Sequence, residues 1–259
     1  MMVERKAFTL IELLVVMAII ALLIGILSPV LTQVRRQGRT LKCRSNLRQY
    51  GIAGRLYIND NDELFPSPHR CIVREYDAPE YAPDGCQWHM AGIPFDGLLC
   101  DYLPVKEVHL CPTFKTLAKT KGRNHFMHDP SIPIEPQYSY SMNAYLGDGP
   151  YGVAVREFHA RGASRVFFFA EENCWPMPGM STAGINNTHL LVRYPPYRFR
   201  DYSDRFATYH NVSKARLNEG VGNVVWLDGH TDAVKFHEQR NHGTFRFAWP
   251  KKITSEMLQ

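Results

Sequence analysis

Between Leu13 and Val34 the chain has no charged residue, and this run limits its possible folds more than any other stretch. At 1.5 Å rise per residue, a helix over it is roughly 30 Å long, the hydrocarbon thickness of a bilayer. The run exceeds the apolar core of a secretory signal peptide, and no Ala-x-Ala cleavage site follows it. A helix that crosses a membrane over residues 11–34 is therefore expected. Glu12 stands at its entrance. A carboxylate at mid-bilayer costs about 2.5–3.5 kcal/mol on insertion scales and less near the interface, so an acid placed here has a partner or a task.

The residues around Glu12 carry a resemblance. Arg5-Lys6-Ala7-Phe8-Thr9-Leu10-Ile11-Glu12-Leu13 resembles the class III signal of type IV pilins and type II secretion pseudopilins. That signal has a short basic leader, a small residue, then Phe-Thr-Leu-Ile-Glu and an apolar helix. The resemblance implies cleavage between Ala7 and Phe8 by prepilin peptidase, followed by N-methylation of the Phe8 amine. It also implies that Glu12 pairs with the Phe8 amine of a neighbouring subunit during assembly. Pro29 falls where pilins carry a helix-kinking proline. Ala7 replaces the usual glycine before the cut, and both are small. The implied partners are prepilin peptidase, other pilin or pseudopilin subunits and inner-membrane lipid. The implied location is a single pass through the inner membrane, with a cytoplasmic N-terminus and a C-terminal domain in the periplasm or on a filament surface.

Charge distribution points the other way. Arg35, Arg36, Arg39, Lys42, Arg44 and Arg48 follow the apolar run, whereas Arg5 and Lys6 are offset by Glu4 in front of it. By the positive-inside rule alone, the part after the helix would be cytoplasmic. The motif specifies the opposite topology and is given more weight. These cations account for the net charge of +5, so the rest of the 259 residues is near neutral and offers no support for nucleic-acid binding. Basic residues beside a membrane meet lipid headgroups. With 21% charged and 45% hydrophobic residues, the remainder has the composition of a globular domain.

In order, residues 1–7 read as a leader and 8–58 as one long helix, half in lipid and half packed on a soluble domain. Leu31, Val34, Leu41, Leu47, Tyr50 and Tyr57 approximate a helical stripe. Gly38, Gly51 and Gly54 lower helix stability by about 1 kcal/mol each but permit close packing. Asn59-Asp60-Asn61-Asp62 ends the pattern with turn formers. Residues 59–259 form an α+β domain. Within it, 66–136 is a loop-rich variable segment whose prolines leave room for a short helix around 95–103. Strands are expected at 138–143, 165–170 and 189–193. A hairpin is expected over 222–236, turning at Asp228-Gly229 in a type I′ turn. The fold class is α+β and pilin-like: a long N-terminal helix, its first half membrane-spanning, packed on a C-terminal antiparallel sheet with long loops.

The six cysteines form no Cys-x-x-Cys pair, which argues against a zinc ribbon. By resemblance to relatives with a cysteine after the long helix and another before a proline, Cys43 and Cys111 are candidates for a disulfide; two buried thiols are the alternative. His210, then Asp228-Gly229, is similar to a C-terminal signature of prepilin-like proteins in which a histidine precedes Asp-Gly by a shorter spacing. Val212–Glu219 reads as an insertion between them. His210, Asp228, His230 and Asp232 could in principle hold a metal, but Asp228 has a sufficient turn role, so no metal and no cofactor is assigned. Glu171-Glu172 follows an apolar strand. Adjacent carboxylates on a strand point to opposite faces and make a poor acid/base pair, so a surface role is expected. Without Gly-x-Ser-x-Gly, His-Glu-x-x-His or a phosphate loop, the sequence offers no enzyme signature. Two functions follow: a structural pilin or pseudopilin-like subunit, or a membrane-anchored periplasmic module that binds polysaccharide through the aromatic middle segment around Trp88.

Overall fold

A computed structural model describes residues 9–73, 95–121, 131, 134–173, 188–192, 204–212, 214–235 and 245–251. The chain divides into two compact units, residues 1–38 and 39–259. Helix α1, Leu10–Asp60, supplies most of the first and the leading element of the second. The layout is α+β and pilin-like: a long apolar N-terminal helix, then a five-stranded, mostly antiparallel sheet.

In the first unit, α1 is apolar on all sides. Its most apolar window has a mean hydropathy of 3.1 and none of it is buried. Leu13, Ile20, Ile24, Leu27 and Val30 are among the large side chains open to the outside. Leaving such a side chain in water rather than burying it costs about 1.5–3 kcal/mol. A bilayer is the solvent that removes this cost, and α1 is the transmembrane helix. The helix runs through Pro29, whose missing amide removes the bond to the Gly25 carbonyl. Thr32 Oγ1 donates to the Ser28 carbonyl at 3.1 Å nearby.

The stripe that the second half of α1 buries keeps Leu47 and Tyr50 of the expected one and leaves out Leu41. Thr40, Cys43, Asn46, Leu47, Tyr50, Gly51, Ala53, Gly54 and Ile58 face inward, whereas Leu41 is 65% exposed and Tyr57 half-buried. Small and polar residues complete it. A Cβ on Gly51 would lie 2.7 Å from Val225 Cγ2, and one on Gly54 would overlap the Phe168 ring. Both glycines therefore let the helix approach the sheet. Asp62 and Glu63 adopt positive φ, and the Glu63 amide caps the Ile58 carbonyl at 3.0 Å, so the Asn/Asp run stops the helix as expected.

The middle segment holds a helix at α2, Pro112–Lys121, and turns at 97–102 where a helix was expected. Pro112 opens α2, a position where its missing amide would have no helical partner anyway. Strands β1 (Tyr140–Asn143), β2 (Phe167–Glu171), β3 (His189–Leu190), β4 (Val221–Trp226) and β5 (Thr231–Lys235) lie in the order β3-β1-β2-β4-β5. Only β1 and β3 are parallel. Each falls within or beside a stretch of expected strand.

One sheet face meets α1 through Tyr140, Met142, Phe168, Phe169 and Val225; the other buries Phe167, Ala170, Val224 and Trp226 with Phe206 and the short helix α3, Phe245–Ala248. Phe168 and Phe169 share the α1 face although they are consecutive. A register shift between Phe167 and Phe169 against β4 accounts for it, since a bulge reorients one residue.

The β4–β5 hairpin turns at Asp228-Gly229, but not as type I′. Gly229 has φ +88° while Asp228 does not have positive φ. Trp226 N donates to His230 O at 3.0 Å and Gly229 N to Trp226 O at 2.9 Å. This is the longer connection in which a right-handed turn is followed by a left-handed glycine. Asp228 contributes through its side chain instead, accepting from the His230 amide at 3.1 Å.

Candidate functional site

Two places concentrate the chemistry. The first is the start of α1. The Glu12 amide donates to Thr9 Oγ1 at 3.2 Å, while Thr9 N and Oγ1 donate to Glu12 Oε2 at 2.9 and 2.8 Å. That reciprocal arrangement is a capping box, in which two end groups of a helix satisfy each other. Its Thr-x-x-Glu spacing before an apolar run was legible in the sequence and was missed there, because Glu12 was weighed only as an assembly residue. Ala7 and Phe8 lie outside the described residues. So do Cys86, Cys174 and Trp88, and with Trp88 most of the aromatic segment that supports a polysaccharide-binding module.

The second place lies on the α1 face of the sheet. Cys43 projects from α1, Cys111 precedes α2, Glu171 ends β2, and His210 pairs with Val221, the first residue of β4. All four are buried. The Cys43 and Cys111 sulfurs lie 2.6 Å apart. The pairing expected from the resemblance thus brings together two residues that are neighbours in space. His210 Nε2 lies 2.9 Å from Glu171 Oε1 and 3.6 Å from Cys111 Sγ, while its Nδ1 lies 3.2 Å from Thr40 Oγ1. Glu171 Oε2 accepts from both the amide and the side-chain nitrogen of Asn223 at 2.8 Å.

These contacts set the charges. Burial works against ionisation of Glu171, but the His210 charge and the Asn223 bonds hold its pKa below the usual carboxylate range. Burial likewise opposes the imidazolium of His210, yet the Glu171 carboxylate and Cys111 raise it to about 10. Burial pushes the Cys43 and Cys111 thiols up, Cys111 strongly.

The surface role expected for Glu171-Glu172 is overturned, since both are buried. They do point to opposite faces. Glu172 accepts from Ser141 Oγ at 2.7 Å, and burial together with the Asp204 charge pushes its pKa far up. Glu171 is what sequence reasoning missed. Its signal was position: it continues the apolar run of a central strand, where a carboxylate is tolerated only with dedicated partners.

The signature residues His210, Asp228 and Gly229 separate. His210 is buried beside Val221, the first residue of β4, whereas Asp228 is exposed at the hairpin tip, 2.5 Å from His230 Nδ1. The intervening residues close on a two-way bridge, His210 N to Val221 O at 3.1 Å and Val221 N to His210 O at 3.2 Å. They include a 3-10 segment, Lys214–Glu219. His210 therefore looks toward α1 rather than toward Asp228, and the set His210, Asp228, His230 and Asp232 does not converge.

In comparisons with known proteins, no curated protein and no solved structure matches the chain. A family model described as the prokaryotic N-terminal methylation motif matches residues 2–28. That match covers the leader, the capped start of α1 and its apolar continuation. The chain carries this methylation motif at the head of the one helix among the described residues that is long and apolar enough to cross a membrane, and is consistent in both sequence and layout with a prepilin-type pilin or pseudopilin.

Proposed function

We propose that this protein is a structural subunit of a type IV pilus or type II secretion-like assembly, cut between Ala7 and Phe8 by prepilin peptidase and methylated on the Phe8 amine. The methylation motif over residues 2–28 carries this reading, and the α+β pilin-like layout supports it. In the proposed cycle α1 is stored in the inner membrane, with the sheet unit in the periplasm. It is then drawn into a bundle in which the Glu12 carboxylate meets the Phe8 amine of a neighbour. A carboxylate and an ammonium compensate each other inside an apolar bundle, whereas either alone would be costly.

The test is the N-terminal mass of the membrane-extracted protein from cells with and without prepilin peptidase. A chain that begins at methylated Phe8 only when the peptidase is present is the expected result. An intact leader in both strains would make the protein a plain anchor and reopen the orientation implied by the arginines after the helix.

A further inference from the structure

The buried group on the α1 face of the sheet has more polar chemistry than a disulfide requires. Cys43, Cys111, Glu171 and His210 come from four separate places in the chain, yet one donor atom from each lies within 4.8 Å of the others. A bond between the two sulfurs would leave a carboxylate and an imidazole beside it, both buried and excluded from water. Removing two such charges from water costs several kcal/mol per ion, which their own ion pair and the two Asn223 bonds offset in part. Two sulfurs, an imidazole nitrogen and a carboxylate oxygen are also donor types that suit zinc, and the sulfurs, 2.6 Å apart here, would have to move apart to roughly 3.8 Å to take one ion at tetrahedral angles.

The surrounding hydrogen bonds fit that use. His210 turns Nε2 to the centre of the group and is held from behind by Thr40 Oγ1 at Nδ1. Glu171 offers Oε1 to the centre while Asn223 holds Oε2 with two bonds. The Phe114 amide donates to Cys111 Sγ at 3.5 Å, the kind of bond that steadies a thiolate. Outer partners of this kind orient metal ligands and fix the imidazole tautomer.

We infer that Cys43, Cys111, Glu171 and His210 form a closed four-ligand site for a divalent zinc ion, which ties α1 to β2, to the start of α2 and to the strand entry before β4. Binding releases three protons, one from each thiol and the one shared by His210 Nε2 and Glu171 Oε1, so that two thiolates with one carboxylate face the double charge of the ion. No ligand position is left for substrate, so the site is structural. It does not depend on processing at Ala7 or on filament assembly.

The full-length chain, purified in detergent without chelator and with thiols kept as isolated, should contain one zinc per chain by mass spectrometry of the metal. The stripped protein under reducing conditions should take up one Co2+ with a thiolate charge-transfer band. His210→Ala and Glu171→Ala should lose stoichiometric binding, while His210→Cys, which restores a fourth donor, should regain it. Thr40→Ala and Asn223→Ala, which keep all four ligands, should weaken zinc binding by roughly 10–100-fold. His230→Ala, at the exposed pair with Asp228, should change nothing. If a ligand variant fails to fold, the unaltered chain still decides: a chelator should lower its melting temperature and zinc restore it. Absence of binding by the reduced protein would overturn the inference. So would recovery of Cys43 and Cys111 as a disulfide-linked peptide from protein alkylated at lysis.

Discussion

His109 is 1% exposed, stacked on Phe95 with ring centroids 4.5 Å apart, and its Nδ1 lies 2.6 Å from the Tyr50 hydroxyl. Burial, only partly offset by a backbone bond to Leu103, lowers its pKa to about 4. The ring is thus neutral in the fold, with Nδ1 accepting from Tyr50. Between pH about 4 and about 6.5 the unfolded chain binds a proton at this residue that the folded chain does not. The stability contributed by neutral His109 is therefore complete above pH 6.5 and falls on acidification toward pH 4, by on the order of 3 kcal/mol. His189, lowered by burial and by His69 to about 3, acts with the same sign. Urea midpoints at pH 7 and pH 4.5 should differ less for His109→Gln than for the unaltered chain; an unchanged difference would show that the ring is not buried neutral. At this scale the sequence was uneven. Cys43 and Cys111 were paired by resemblance and are neighbours, whereas Glu171 was assigned to the surface. A side chain's burial depends on which strand lies beside its own, and β1 and β4 flank β2 only in the folded sheet.

Among the elements, α1 shows how one periodic pattern can serve two solvents. Its glycines separate the two uses. A Cβ at Gly38 would meet nothing within 4 Å, whereas at Gly54 it would collide with Phe168 and approach Phe169 to 3.3 Å. Alanine is worth about 1 kcal/mol over glycine in a helix interior. Gly38→Ala should therefore stabilise by about that amount. Gly54→Ala should destabilise by about 1–3 kcal/mol, because the added methyl overpacks a filled contact. Thermal unfolding in detergent should move in opposite directions for the two variants, by about 2–4 °C per kcal/mol. Equal and favourable shifts would mean that α1 does not lie close on β2 and β4. The hairpin teaches a related lesson. Asp228-Gly229 located the turn correctly from local preference. The turn type followed from which residues of β4 and β5 pair, since Val225 opposes Thr231 and leaves five residues between that pair.

On the scale of the whole molecule, the described residues of the unit containing the apolar half of α1 form no core of their own, and the other unit has a core on each face of its sheet. Glu12 belongs to the first. Its carboxylate is satisfied within the chain by Thr9, so Glu12→Leu removes a helix cap worth about 0.5–2 kcal/mol but also a polar group from the membrane entrance. Insertion should be unimpaired, while incorporation into filaments, read by cross-linking and shearing, should fall sharply. Incorporation at the normal level would remove the intersubunit role from Glu12 and leave it the cap alone.

The amino-acid sequence by itself determined the apolar helix, its capped and motif-bearing start, its stop at Asn59–Asp62, the strand segments and the location of the hairpin. All of these rest on interactions between residues a few positions apart, which act wherever the rest of the chain lies. Tertiary structure decided which stripe of α1 faces inward, where α2 forms, and that a thiol pair, a carboxylate and an imidazole meet. The physical reason is distance along the chain. Cys43, Cys111, Glu171 and His210 converge because five strands take one order and one register, and no local preference of any of the four contains that information.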